Sequence, residues 1–170
     1  MSFLFQIILY VCCTFSLEAK VSLGVDRIFE PEWVTLLQGK NIGLITNQTG
    51  VTSALVPTID ILENNQKKYG YTLSCLFAPE HGLYGEGYAW ENIKSGKTAS
   101  GLPIFSLHGE TRRPTKEMLK DVTLLLFDIQ DIGSRSYTFA NTLFYAMEEA
   151  AKSKIPVLVL DRPNPLGGLI

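Results

Sequence analysis

The chain has 170 residues, 46% of them hydrophobic, and a formal net charge of -2. That size and composition suit one domain with a buried core and argue against disorder. The 15 Lys and Arg residues are scattered, with only short pairs such as Lys67-Lys68 and Arg112-Arg113, which excludes the concentrated basic footprint of a nucleic-acid binder.

Residues 3–15 (FLFQIILYVCCTF) are apolar apart from Gln6 and Thr14. A bilayer span needs about 20 such residues, so the run fits the core of a secretory signal covering residues 1–19, with cleavage at Ala19 and an exported product. The competing reading is a buried helix or strand, since no Lys or Arg precedes the run. Cys12 and Cys13 lie in this segment. Cys75 stands alone in an apolar stretch, where a thiol packs as a small hydrophobe, so no disulfide framework is expected.

From residue 20 onward the text alternates between helix and strand patterns. Residues 27–37 read as a helix with Ile28, Trp33, Val34 and Leu37 on one face and Gly39 as its stop. Residues 42–45 read as a strand. Residues 53–68 read as a helix capped by Ser53, with Leu55, Ile59 and Leu62 at helical spacing. Residues 73–78 form the second expected strand, and a loop runs from Pro79 to Pro103. Residues 104–107 are a short strand and 115–120 a short helix. Residues 122–127 (VTLLLF) are an apolar strand. Residues 137–152 read as a helix with Leu143, Ala146, Met147 and Ala150 as its stripe, and 156–160 as the last strand. Near-continuous apolar strands separated by helices predict an α/β, Rossmann-like three-layer fold, its mainly parallel sheet lying between helices. A loop as long as 79–103 is usually functional or unstructured.

Ligands of open parallel sheets bind beyond the carboxyl ends of the strands. Four expected strands end in polar groups: Asn47; Pro79-Glu80-His81; Asp128 with Gln130 and Asp131; and Asp161-Arg162 with Asn164. A shared polar pocket explains four such ends better than four separate turns. Individually, Asn47 also reads as a turn residue and, with Gln48 and Thr49, as a glycosylation sequon. Glu80 also reads as a helix cap, His81 as a packed neutral imidazole, and Asp128 and Asp161 as turn caps. Arg135 could hold a substrate carboxylate or pair with Asp131.

Gly82, Gly85 and Gly87 do not match the dinucleotide fingerprint, and no phosphate loop or nucleophile elbow occurs, so no nucleotide and no cofactor is implied. His81, His108 and Cys75 lack zinc spacing. Chemistry run by carboxylates remains, and glycoside cleavage uses two of them. One must keep its proton near neutral pH, which an apolar wall favours. Leu76-Phe77-Ala78, Tyr84 and Trp90 are the expected wall around Glu80.

ITNQTGV (45–51), FAPEHGL (77–83), FDIQDIGSRSYTF (127–139) and VLDRPNPLGG (159–168) resemble, in order, the main motifs of bacterial exo-β-N-acetylmuramidases of the NamZ type. The resemblance implies a Rossmann-like first domain that uses no nucleotide, and a second domain that helps close the cleft. It implies removal of N-acetylmuramic acid from the non-reducing end of peptidoglycan fragments outside the cytoplasm. The glutamate of the PEHG motif, Glu80, is then the expected acid. A second carboxylate, with Asp128 ahead of Asp161, would activate water or stabilise the oxocarbenium-like state. Arg135 would meet the lactyl carboxylate, and Asn47, His81, Asp131, Tyr137, Asp161 and Asn164 would line the sugar site. The chain departs from the pattern at Ser136, where the family usually has an aromatic, and at Ile170, where the family continues. Two readings follow: the chain is a fragment of a split or decayed reading frame, or a separate chain supplies the C-terminal half; the rival function is a non-catalytic sugar-binding module or an inactive remnant.

Overall fold

The computed structural model describes residues 21–88 and 91–167. The expected signal segment, Cys12, Cys13 and the Trp90 part of the wall lie outside these residues. Among the described residues, no helix is long and apolar enough to cross a membrane.

Six strands form one sheet in the order β3-β4-β2-β1-β5-β6. They are β1 (Asn41–Thr46), β2 (Thr72–Ala78), β3 (Gly96–Lys97), β4 (Pro103–Ser106), β5 (Leu124–Asp128) and β6 (Val157–Val159). All neighbours pair in parallel except β3 with β4. The helices are α1 (Gly24–Arg27), α2 (Pro31–Val34), α3 (Thr58–Tyr69), α4 (Lys116–Leu119) and α5 (Phe139–Lys152).

The central strands are apolar on both sides because both sides are covered. Leu44, Leu124 and Leu126 pack with Ile59 and Leu62 of α3 and Val25 of α1 on one face. Leu125, Phe127 and Phe77 pack with Leu119 of α4 and Ala146 and Ala150 of α5 on the other. Alternate residues of β5 thus belong to two cores, as the period of two requires. Cys75 is in the second core, where burial pushes its thiol up to about 12. It stays protonated and packs as an apolar group.

Several expected elements shift where proline decides the backbone. The helix expected over 27–37 is two short ones, because Glu30, which precedes Pro31, is extended at ψ 151°. Ile28 and Leu37 remain buried, while Trp33 is partly exposed. The helix expected from Ser53 starts instead after Pro57, which sits extended at ψ 136° as the N-cap. Leu55 therefore belongs to the preceding turn, at φ 61° and 78% exposed, not to the helix stripe. Gly70 ends α3 in the left-handed region at φ 70°, a conformation glycine adopts without steric cost. The buried stripe of α5 is Phe139, Thr142, Ala146 and Ala150, and Met147 faces outward. The long loop contains β3, whose two residues carried no pattern to read.

Candidate active site

The five parallel strands end on one edge, so residues that follow them meet there. β2 delivers Pro79, Glu80 and His81. β4 delivers Leu107 and His108. β5 delivers Asp128 to Asp131, and the turn before α5 delivers Tyr137 and Thr138. Two of these sources meet the Glu80 carboxyl. Its Oε2 accepts a hydrogen bond of 2.6 Å from the Thr138 hydroxyl. Its Oε1 lies 3.8 Å from His108 Nε2, and the two side chains are only 13% and 9% exposed. Residues 80, 108 and 138 are far apart in sequence, so this arrangement exists only in the folded sheet.

Glu80 opens on a cavity of about 400 Å³. Gln48, Thr49, His81, Gln130, Tyr137 and Phe139 are among its lining residues. The wall expected around Glu80 differs in composition. Tyr84 is 65% exposed, and the enclosing groups are instead Thr138, His108, Tyr137 and Phe139. A second cavity, of about 300 Å³, holds Asp131, Asp161, Arg162 and Asn164, and Gln130 lines both. The residues expected to form one pocket are thus divided: Glu80, His81 and Tyr137 on one side, Asp131, Asp161 and Asn164 on the other. Arg135 is exposed, lines neither cavity and forms no ion pair among the described residues, so the alternative Asp131 pairing is not made.

Asp128 does not fit the part of a base that handles water. It is 0% exposed. Arg162 Nε donates to its Oδ1 at 2.6 Å and Arg162 Nη2 to its Oδ2 at 3.0 Å. The Thr58 hydroxyl donates to the same Oδ2 at 2.5 Å. Both carboxylate oxygens are engaged in a buried fork that ties β5 to α3 and to the segment after β6. Burial was the missing information, since a polar residue at a strand end reads identically whether it faces a ligand or a neighbouring element. Among the described residues, Glu80 is the only carboxylate lining the first cavity.

Asn47 sits beneath the rim, 3% exposed. Its Oδ1 accepts from Thr49 N at 2.9 Å and from the Thr49 hydroxyl at 2.6 Å. Thr49 Oγ1 in turn accepts from Gln130 N at 2.9 Å. This chain locks the β1 end to the β5 end. Asn47 Nδ2 is buried without a partner among the described residues, and its burial leaves no room for a glycan at the sequon. Gly50 is required here by space. A Cβ at that position would lie 2.0 Å from Thr46 Oγ1 and 3.0 Å from the Asp128 carbonyl.

His108, Thr138, Thr58 and Arg162 are the functional and supporting groups that sequence reasoning did not single out for these tasks. One signal for His108 was available: it follows the end of β4, just as Glu80 follows β2. Thr138 and Thr58 carried none, because both fall inside stretches that read as helix, where a threonine points to no particular role. No cluster of three or more metal-ligating side chains occurs among the described residues.

Fold and site together define a Rossmann-like α/β domain whose strand ends place a largely buried carboxyl group beside one imidazole, with a second imidazole on the same cavity. Comparison with known proteins agrees with the fold. The family described as exo-β-N-acetylmuramidase NamZ, N-terminal, matches residues 42–170, and the chain belongs to that family. It is 47% identical over 152 residues to the peptidoglycan β-N-acetylmuramidase NamZ of Bacillus subtilis (strain 168), covering 89% of this chain and 36% of that protein. Two crystal structures of DUF1343-family proteins from Bacteroides fragilis NCTC 9343 share the fold. One is 46% identical with a TM-score of 0.76, covering 88% of this chain and 36% of the other. The second is 28% identical with a TM-score of 0.65, covering 86% and 36%. The chain therefore spans about a third of the length of the relatives it matches.

Proposed function

We propose that this domain carries the acid of an exo-acting β-N-acetylmuramidase, releasing terminal N-acetylmuramic acid from peptidoglycan fragments. The observation that supports it is the Glu80 carboxyl, mostly buried at the rim of a cavity of about 400 Å³, hydrogen-bonded by Thr138 and flanked by His108. A held carboxyl group places its proton where the glycosidic oxygen would sit, and positioned proton transfer of this kind contributes about 10²–10⁴-fold to a rate. Gln48, the Gln130 side-chain carbonyl and Tyr137 offer amide and hydroxyl groups suited to a sugar. Export through residues 1–19 would place this site with cell-wall fragments, and the polypeptide corresponding to the relatives' remaining length would close the cleft as part of the same or a separate chain.

The test is an assay of the chain alone, and of the chain joined to the C-terminal portion of the Bacillus subtilis relative. Substrates are a chromogenic muramic acid β-glycoside and a muramic acid–glucosamine disaccharide with both amines acetylated. Release of terminal muramic acid, without cleavage inside longer glycans, is expected. Calorimetric binding of muramic acid without turnover in either form would favour a sugar-binding module. Neither binding nor turnover would end the proposal.

Thr138→Val is expected to lower kcat about ten- to a hundredfold with a smaller change in KM. Hydrogen bonds to charged groups contribute about 1.5–3 kcal/mol, and about 1.4 kcal/mol is a factor of ten in rate. Steady-state kinetics on the disaccharide would check it; an equal loss in KM and none in kcat would mean that Thr138 serves binding instead.

A further inference from the structure

His81 has an arrangement that packing alone does not require. It lines the same cavity as Glu80. Its backbone lies at φ 71°, a region sparsely used by residues other than glycine and often held in place at functional sites. Its Nδ1 is 2.9 Å from the Gly87 carbonyl oxygen. A carbonyl oxygen only accepts, so Nδ1 carries the hydrogen and the neutral ring has its lone pair on Nε2. No hydrogen bond to Nε2 is made by the described residues. The backbone closes the same loop, with Gly87 N donating to the His81 carbonyl at 3.1 Å. Between them the chain turns through Gly82 at φ 84° and Gly85 at φ 72°. The glycine-rich stretch folds back on one histidine and fixes its tautomer.

The part of the cavity formed by the described residues offers Glu80 no partner carboxylate. Glu80 is its only carboxylate among the described residues, and both oxygens of Asp128 are committed to Arg162 and Thr58. We infer that His81 Nε2 is the general base that activates water, so that the reaction runs on a glutamic acid and an imidazole and inverts the anomeric configuration. This inference rests on the muramidase reading and adds the second reacting group to it.

The atoms balance in a single displacement. The water oxygen bonds to C1 from the face opposite the leaving group while one of its protons passes to His81 Nε2. The bond from C1 to the glycosidic oxygen breaks, and that oxygen takes the proton from Glu80. The cycle leaves an imidazolium and a carboxylate. Transfer of one proton through solvent from the first to the second restores both. Retention would instead need a nucleophile, either a free carboxylate about 5 Å from the acid or the substrate's own 2-acetamido oxygen.

The deciding measurement uses the unaltered protein, in whichever form of the assay above is active. Proton NMR of the first-formed sugar, before mutarotation, is expected to show the α anomer from a β-glycoside. The β anomer appearing first would overturn the inference while leaving the muramidase reading intact. Absence of any hydrolysis would overturn both. A second measurement uses His81→Asn, because asparagine tolerates the left-handed backbone but has no basic nitrogen. Its kcat is expected to fall about 10²–10⁴-fold, equally for nitrophenyl and sugar leaving groups, since water activation does not depend on what departs. Wild-type turnover in a folded His81→Asn protein would also overturn the inference. If circular dichroism shows that variant unfolded, the stereochemical result alone decides.

Discussion

Glu80→Gln is expected to reduce hydrolysis of a sugar–sugar bond by about 10²–10⁴-fold while leaving muramic acid affinity near its starting value. Glutamine keeps the shape of the side chain and an acceptor for the Thr138 hydroxyl, so the pocket stays built, but it has no acidic proton to donate. The loss should shrink sharply with a nitrophenyl leaving group, which departs without protonation. That dependence separates the acid from every group that only shapes the pocket, and it is opposite to the uniform loss expected for His81→Asn. Parallel kinetics of the two variants on both substrates would therefore assign the two roles. Full activity of Glu80→Gln on the disaccharide would remove Glu80 from the chemistry.

Asp128→Asn is expected to cost about 3–5 kcal/mol of folding stability, the usual consequence of leaving one member of a buried ion pair without its partner. For a domain of this size that corresponds to a fall in Tm of roughly 10 °C. The physical reason is Arg162, whose side chain is 6% exposed beside the fully buried Asp128. Its guanidinium also donates to the Val51 carbonyl at 2.7 Å, so it cannot swing into water without breaking the turn after β1. Removing both charges, as Asp128→Leu with Arg162→Met, should recover a large part of the loss, because matched apolar pairs replace buried ion pairs at little cost. Urea unfolding of Asp128→Leu, Arg162→Met and the double variant would measure the coupling. Additive losses, or an Asp128→Asn protein within about 1 kcal/mol of wild type, would show that the fork does not hold the rim together.

These two aspects of the site were unequally visible in the sequence. Glu80 was legible because an apolar run, a proline and a carboxylate appear in order, which is what a buried strand ending at a sheet edge looks like. Asp128 had the same appearance and a different fate. It follows VTLLLF as Glu80 follows LSCLFA, but its neighbour across the rim is Arg162, contributed 34 residues later. Strand endings report position along the chain and say nothing of which ends face each other. His108 shows the converse. It follows a strand short enough, PIFS, that its place at the rim carried little weight until β4 was seen to pair with β2.

The element pattern was determined locally. Apolar runs of four to six residues between helical spacings could bury themselves only as a sheet covered on both faces, so α/β architecture followed from hydrophobic period alone. The boundaries moved where proline constrains its predecessor, at Pro31 and Pro57, again a local effect. Partner choice was not local. The order β3-β4-β2-β1-β5-β6 sets which strand ends are neighbours, and hence that Thr138 grips Glu80 while Arg162 occupies Asp128. The tautomer of His81 depends on a carbonyl six residues away, brought into reach by a backbone with three positive φ angles, at His81, Gly82 and Gly85. The sequence by itself thus determined where polar chemistry could surface; long-range strand pairing and burial decided which of those groups were free to react, because hydrogen bonds and ion pairs form between positions that chain order does not relate.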